Sequence, residues 1–268
     1  MKIIILFAGI SHVRELVTSS LQIAGEQNSA IAGIFLKKKN QPRPYSQQTY
    51  SRQASDQEDL PMISETIRWA EEICSRSGTT FKAVYGRELS VSQLAAQTPY
   101  ADLVVADAKT DFNEYLLTSM NASLKDMLVD AHCPVVLVRS NLVPVQKIVF
   151  TYDGSYSSMY AIKMFHYLFP HSTNIPAVLV SADSQRDDQK TNELLLEDWL
   201  SHHYHSVDRM PKQNSVKDQL LELTNRPDEN VYVVISAYGK EAYPRIFHPS
   251  HVQLLLNYSK ASLFIAHE

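Results

Sequence analysis

The 268-residue sequence predicts an α/β protein made of two tandem doubly wound domains, each with a five-stranded parallel sheet. Three observations carry that expectation. An apolar run near the start, Lys2-Ile3-Ile4-Ile5-Leu6-Phe7-Ala8-Gly9, matches Lys147-Ile148-Val149-Phe150-Thr151-Tyr152-Asp153-Gly154 in mid-chain without a gap. Each run opens a series in which strand-like and helix-like periods alternate as βαβαβαβαβ, the pattern of parallel strands joined by right-handed crossovers. The length also suits two units. The polar, proline-bearing link Ser140-Asn141-Leu142-Val143-Pro144 marks the join, so domains are expected at 1–140 and 141–268.

The elements follow in matched order. Each opening run is continuously apolar, as a central strand covered on both faces must be. A helix follows in each half. Val13, Leu16, Val17, Leu21 and Ala24 recur at helical spacing in the first, and Ile162, Phe165, Leu168 and Phe169 in the second, where Pro170 stops the helix. Second strands are expected at Ala30–Leu36 and Ile175–Val180. Long helices then span Pro61–Ser77, with Ile63, Ile67, Ala70 and Ile73, and Asp187–Tyr204, with Leu194, Leu195 and Trp199 as its apolar stripe. Short third strands fit Thr79–Tyr85 and Ser206–Met210, and the next helices Ser90–Gln97 and Ser215–Thr224. Fourth strands fit Asp102–Ala106 and Asn230–Ile235, last helices Leu116–Ala131 and Arg245–Lys260, and fifth strands Pro134–Arg139 and Ser262–Ala266.

Composition excludes several functions. The chain has 7 glycines, where average usage would give about 19. None are clustered, which rules out both G-x-G-x-x-G and G-x-x-x-x-G-K-[ST], whose glycines let backbone approach phosphate. Lys plus Arg number 25 against 29 Asp plus Glu, for a net charge of −4, and neither half is basic enough for a nucleic-acid footprint. Cys74 and Cys133 are the only cysteines, with no C-x-x-C, so a reduced, cytoplasmic setting is expected. The longest apolar run, Ile3–Ile10, is too short to cross a bilayer, and its recurrence in mid-chain marks it as a strand rather than a targeting segment. No membrane partner is expected.

Other features were weighed for chemistry. The polar stretch 37–60 suits a disordered or partner-crossing arm, or a ligand lid. His202-His203-x-His205 places two histidines at i, i+3 on a helix end, with Asp198 a turn earlier, but a zinc site needs further ligands and no metal is expected. Ser155, Ser157 and Ser158 suit an N-cap and first helical turn, and G-x-S-x-G is absent, so no catalytic residue is expected. Tyr85, Tyr238 and Tyr243 suit packing near the carboxyl ends of the strands.

Lys147-Ile-Val-Phe-Thr-Tyr-Asp-Gly-Ser155, Ala101-Asp102-Leu-Val-Val105 and Ala131-His-Cys-Pro-Val-Val-Leu-Val138 together resemble the universal stress proteins, and over nearly the whole chain the order resembles their tandem form. The resemblance implies a Rossmann-like fold of the adenine nucleotide alpha hydrolase-like kind. It also implies pairing of the two domains about a pseudo-two-fold axis through their fifth strands. ATP-binding members carry Gly-x2-Gly-x9-Gly-Ser/Thr after the fourth strand, where backbone N–H groups wrap the phosphates. In the first domain the aspartate position falls on Ala8, and the loop Asp107–Asn121 has no glycine and bears Asp107, Asp111 and Glu114. The second domain keeps part of the pattern: Asp153, Gly154 and Ser155, then a loop aligning as Ser236-x2-Gly239-x9-Pro249-Ser250. These six residues, Asp153, Gly154, Ser155, Ser236, Gly239 and Ser250, are the candidate cofactor-binding set, with His248 and His251 beside Ser250. Asp153 equally suits a cap for the turn that follows it. The expectation is a non-catalytic stress-response protein acting through protein contacts or a small ligand, with ATP binding lost or weak, no resident cofactor, and protein partners that include a homodimer. The alternative is a nucleotide-binding sensor or slow ATPase using the second domain alone.

Overall fold

The computed structural model describes the chain apart from residues 11, 26–27, 37–53, 85–89, 111–123, 140–143, 182–186, 212–214, 227–228, 237–248 and 267–268; within its helices the side chains of 54–61, 124–126, 187–190 and 249–250 are also not described. The chain divides into two compact units, Met1–His132 and Cys133–Glu268.

The first unit opens with β1 (Lys2–Ala8), α1 (Val13–Ala24), β2 (Ala30–Leu36), α2 (Ala54–Arg76) and β3 (Thr80–Val84). It continues with α3 (Val91–Ala95), a 3-10 turn at Thr98–Tyr100, β4 (Leu103–Asp107) and α4 (Leu124–Asp130). Its strands are parallel in the order β3-β2-β1-β4. Ile3 to Phe7 are buried throughout, which explains why β1 is apolar at every position and not at alternate ones. At Gly33 in β2 a Cβ would lie 2.7 Å from Phe81 Cζ and 2.8 Å from Phe7 Cε2, so the two rings close over bare backbone. Ser90 and Gln93 form a reciprocal capping box at the start of α3.

One expectation in this unit is corrected, and another falls partly outside the described residues. The long helix starts at Ala54 and not at Pro61, so residues 54–60 of the polar stretch are helical, while 37–53 lie outside the described residues. The run Asp56-Gln57-Glu58-Asp59-Leu60 puts acidic residues in the opening turns, where the helix dipole favours them. The last helix is described only over Leu124–Asp130 of the expected Leu116–Ala131.

The second unit contains β5 (Val135–Val138), β6 (Lys147–Tyr152), α5 (Tyr156–Leu168), a 3-10 turn at Pro170–Asn174, β7 (Ala177–Ser181) and α6 (Asp187–His203). After these come β8 (Val207–Arg209), α7 (Val216–Thr224), β9 (Val231–Ser236), α8 (Pro249–Tyr258) and β10 (Ser262–Ala266). The strand order is β5-β10-β9-β6-β7-β8, parallel apart from the antiparallel pair β5–β10. That pair draws β5 into this unit. It is fastened where the Arg139 N–H donates to Ser262 Oγ at 3.1 Å and the guanidinium donates to the Leu256 carbonyl of α8. The core is aromatic: Phe165 packs on Phe150, Phe169, Tyr232 and Phe264, with ring centroids 4.5 to 6.2 Å apart.

The expected stripe on α6 is corrected. Leu194 and Leu195 are 66% and 64% exposed and Trp199 is half-buried, whereas Leu196, Leu200 and then Tyr204 just beyond the helix are buried. Spacing by four puts those three on one face. No described helix is long and apolar enough to cross a membrane.

Candidate functional site

In each unit the chain leaves the first strand toward one side of the sheet and returns on the other. The crevice between the first and fourth strands, at their carboxyl ends, is the topological switch point where open α/β sheets bind ligands. In the second unit it lies between β6 and β9, paired through Phe150 and Val234. That register sets Ser236 level with Tyr152, so Asp153, Gly154, Ser155 and Ser236 come to adjacent strand ends. Gly239 lies outside the described residues. Ser250 stands in the first turn of α8 with its side chain not described. His248, Tyr85, Tyr238 and Tyr243 also lie outside the described residues.

The β6–α5 connection is built from its own side chains. Gly154 has φ +82°, a left-handed backbone that suits glycine. Asp153 Oδ1 accepts from the Ser155 N–H at 3.1 Å and from Ser155 Oγ at 2.6 Å. Ser155 Oγ in turn accepts the Ser158 N–H at 3.1 Å and caps α5. One oxygen of the Asp153 carboxylate is thus engaged in shaping the turn.

Sequence reasoning missed the neighbours on β7, α6 and β8. Asn192 Nδ2 donates to the Gly154 carbonyl at 3.4 Å. Glu193 Oε1 accepts from Ser181 Oγ at 2.8 Å and from the Arg209 guanidinium at 2.6 Å, and Arg209 also meets Glu197 at 2.5 Å. Tyr152 is buried beside them. Its phenol is pushed up to about 12, first by burial and then by the charges of Asp153 and Glu193. Two carboxylates, Glu193 and Glu197, therefore hold one guanidinium at this end of the sheet, and Asp153 and Glu193 both act on Tyr152. The signal in the sequence was Glu193 and Glu197 at i, i+4, with Arg209 closing the next strand.

The first unit differs at the same place. Ala8 ends β1, and the carboxylate belongs to β4. Asp107 is 6% exposed, its Oδ1 accepts the Lys109 N–H at 2.8 Å, and its Oδ2 lies 3.8 Å from His12 Nε2. His12 precedes α1 with φ 60°, the one described non-glycine residue with positive φ, and gives the helix no side-chain cap. Asp111 and Glu114 lie outside the described residues.

The histidine pairing is corrected as well. The helix ends at His203, so His202 and His205 do not share a helical face. His203 instead packs against His166 of α5, with ring centroids 4.7 Å apart. Among the described residues no group of three or more His, Cys, Asp or Glu side chains could hold a metal ion.

Fold and topology together define a tandem pair of doubly wound α/β units, each with a switch point at its strand ends. No family model matches the chain, and no curated protein is similar to it in sequence. Solved structures do match over the full length. A universal stress protein from Archaeoglobus fulgidus DSM 4304 superposes with a TM-score of 0.60 at 12% identity, covering 99% of this chain and 98% of that one. The cytoplasmic domain of a prokaryotic cation chloride cotransporter gives 0.53 at 8% identity, covering 100% and 95%. A functionally unknown protein from Pseudomonas aeruginosa PAO1 gives 0.52 at 10% identity, covering 98% and 91%. The chain has the universal stress protein fold in its tandem form.

Proposed function

We propose that this chain is a non-catalytic stress-response protein of the universal stress protein type, acting through protein contacts, a second copy among them, or through a small ligand, with ATP binding lost or weak. The observation that carries the reading is the grouping of carboxylates at the strand ends of the second unit, where Glu193 and Glu197 both hold Arg209 and the charges of Asp153 and Glu193 both reach the Tyr152 phenol. A triphosphate brought to such a place meets like charge. The loop that would cradle it starts at Ser236, which restricts the backbone more than glycine, and reaches Pro249, which has no N–H to offer. Because the same fold also serves the cytoplasmic domain of a cotransporter, the reading rests on the crevice and not on the fold.

The test is thermal unfolding with and without Mg-ATP. A site with a dissociation constant a hundredfold below the nucleotide concentration would add about 2.7 kcal/mol, a shift of several degrees. The proposal expects no shift, and no nucleotide in the protein as purified when examined by native mass spectrometry. A shift that Asp153→Ala abolishes would replace it with a nucleotide-binding sensor or slow ATPase working through Asp153, Gly239 and Ser250.

A further inference from the structure

Away from the strand ends, the packing of α5 on α6 contains two imidazoles that the proposed function does not use. His166 follows Phe165, whose ring is buried in the core of the second unit. The His166 ring lies edge-on to His203 at 4.7 Å and to Trp199 at 5.3 Å, with Tyr204 at 5.7 Å and Tyr167 of its own helix at 5.6 Å. Its Nδ1 is buried and has no hydrogen-bond partner. His203 stacks on Trp199, with centroids 4.0 Å apart and planes at 17°, and its Nδ1 lies 2.7 Å from the Trp199 carbonyl. A carbonyl only accepts, so that contact needs a proton on Nδ1 and leaves Nε2 as the unprotonated nitrogen of the neutral ring.

The surroundings give little to balance a positive charge. Tyr204 is neutral, its phenol held up to about 12 by burial. Tyr167 is exposed and sits on the same helix as His166. The carboxylate of Asp198 lies 3.8 Å from His202. Among the described residues, neither His166 nor His203 forms an ion pair with a carboxylate. A proton on His203 is supported by the indole face beneath it. A second proton, placed on the buried His166 Nδ1, has no hydrogen-bond acceptor and a charged ring 4.7 Å away.

We propose that His166 and His203 form a proton-operated latch between α5 and α6, closed while both imidazoles are neutral and released when the pair becomes charged in mildly acidic conditions. Release reaches the candidate site because α6 is one helix. Asn192 and Glu193, which touch Gly154 and Ser181, lie about 16 Å along it from His203 at 1.5 Å per residue. The direction of titration agrees with the geometry. Burial first, and His203 second, hold His166 below its ordinary 6.5. A base held low when folded keeps its full packing stability above the unfolded value. It loses that stability as the pH falls from there through the folded value.

The test uses the full chain between about pH 7.5 and about pH 5, a window above the carboxylate range. Histidine ring resonances are titrated by NMR while amide exchange is followed along α5 and α6. His166 is expected to titrate below 6.5, with exchange at the end of α5 and the last turns of α6 rising more steeply than intrinsic rates as the pH drops. His166→Phe keeps an aromatic ring and removes the proton, and is expected to abolish that rise. In a Trp69→Phe background the emission of Trp199, the remaining tryptophan, is expected to change over the same pH range as exchange at the end of α6. If His166→Phe does not fold, the parent protein decides alone. A His166 midpoint at or above 6.5, or unchanged protection of α5 and α6 across the window, overturns the proposal, as does a rise that persists in His166→Phe.

Discussion

Asp153→Ala separates a carboxylate that shapes the chain from one kept for a ligand. In the structure Asp153 Oδ1 accepts both donors of Ser155, at 3.1 Å from the N–H and 2.6 Å from Oγ. Hydrogen bonds to a charged acceptor contribute about 1.5–3 kcal/mol when well shielded. This carboxylate is half-buried, and water replaces part of what is lost. Ser155 Oγ can also turn toward Ser158 Oγ, 3.3 Å away. Asp153 and Glu193 both bring negative charge to Tyr152, and removing one of the two returns a few tenths of a kcal/mol of repulsion. The net expectation is a loss of about 1–2 kcal/mol, or roughly 4–8 °C for a unit of this size. Ser155→Ala, which removes the cap on the Ser158 N–H, is expected to cost about 1 kcal/mol. Because both variants delete the same contact, the double variant should lose about 1 kcal/mol less than the sum. Urea unfolding of the four proteins, repeated with Mg-ATP, gives every term. A functional group is often kept at a cost in stability. An Asp153→Ala protein as stable as the parent, or more so, would therefore refute the reasoning and return Asp153 to the ligand.

Three further outcomes are expected. Gly33→Ala drives a methyl group to within 2.7 Å of Phe81 and 2.8 Å of Phe7, so the urea midpoint should fall by the equivalent of about 1–3 kcal/mol; an unchanged midpoint would show that the rings move aside freely. Leu196→Ala empties a fully buried site and should cost about 2–4 kcal/mol, whereas Leu194→Ala should stay within about 0.5 kcal/mol; the reverse order would mean that α6 presents its other face. The Lys147 ammonium, 2.5 Å from Glu229, holds that carboxyl below its ordinary 4.5, helped by Arg226 and opposed by partial burial. A carboxylate held low contributes stability that is present above the unfolded value and lost as the pH falls through the folded one. Stability measured below about pH 4.5 should therefore fall less steeply in Glu229→Gln than in the parent, and equal slopes would show that the pair contributes nothing.

Much of the fold was legible because the repeat is written in buried strands. Ile3–Phe7 and Ile148–Tyr152 are covered on both faces and so are apolar almost throughout; the one polar side chain, Thr151, donates to the Val234 carbonyl. The capping serines were legible for a similar reason, since Ser90, Ser155 and Ser215 each satisfy a local need of the helix that follows. What failed were choices that depend on the packed partner. Leu194, Leu195 and Leu196 are consecutive, and periodicity alone did not say which faces the sheet. The decisive sign was the spacing by four to Leu200 and Tyr204. The histidines failed for the converse reason. His202 and His205 look paired only if the helix runs past His203, while the pair that forms joins His203 to a residue 37 positions earlier, which no local pattern reveals.

The two switch points show why the site was only half legible. The gap-free match of the opening strands equates Ala8 with Asp153, and the registers Ile3 to Leu103 and Ile148 to Tyr232 then equate Asp107 with Ser236. Of these equated strand-end positions, each unit thus keeps one carboxylate, but on opposite walls: the fourth strand in the first unit and the first strand in the second. In both, one oxygen accepts the backbone N–H two residues on, Lys109 for Asp107 and Ser155 for Asp153. This is the local bond with which an aspartate turns a chain at the end of a strand. A family pattern read position by position scores the second unit as half retained and the first as lost. In physical terms the two aspartates do the same work, since each fixes the turn after its strand by accepting the backbone N–H two residues on. That shared structural use of the carboxylate stands beside the grouped carboxylates of the second unit and the missing loop glycines as ground for proposing that neither crevice holds ATP tightly.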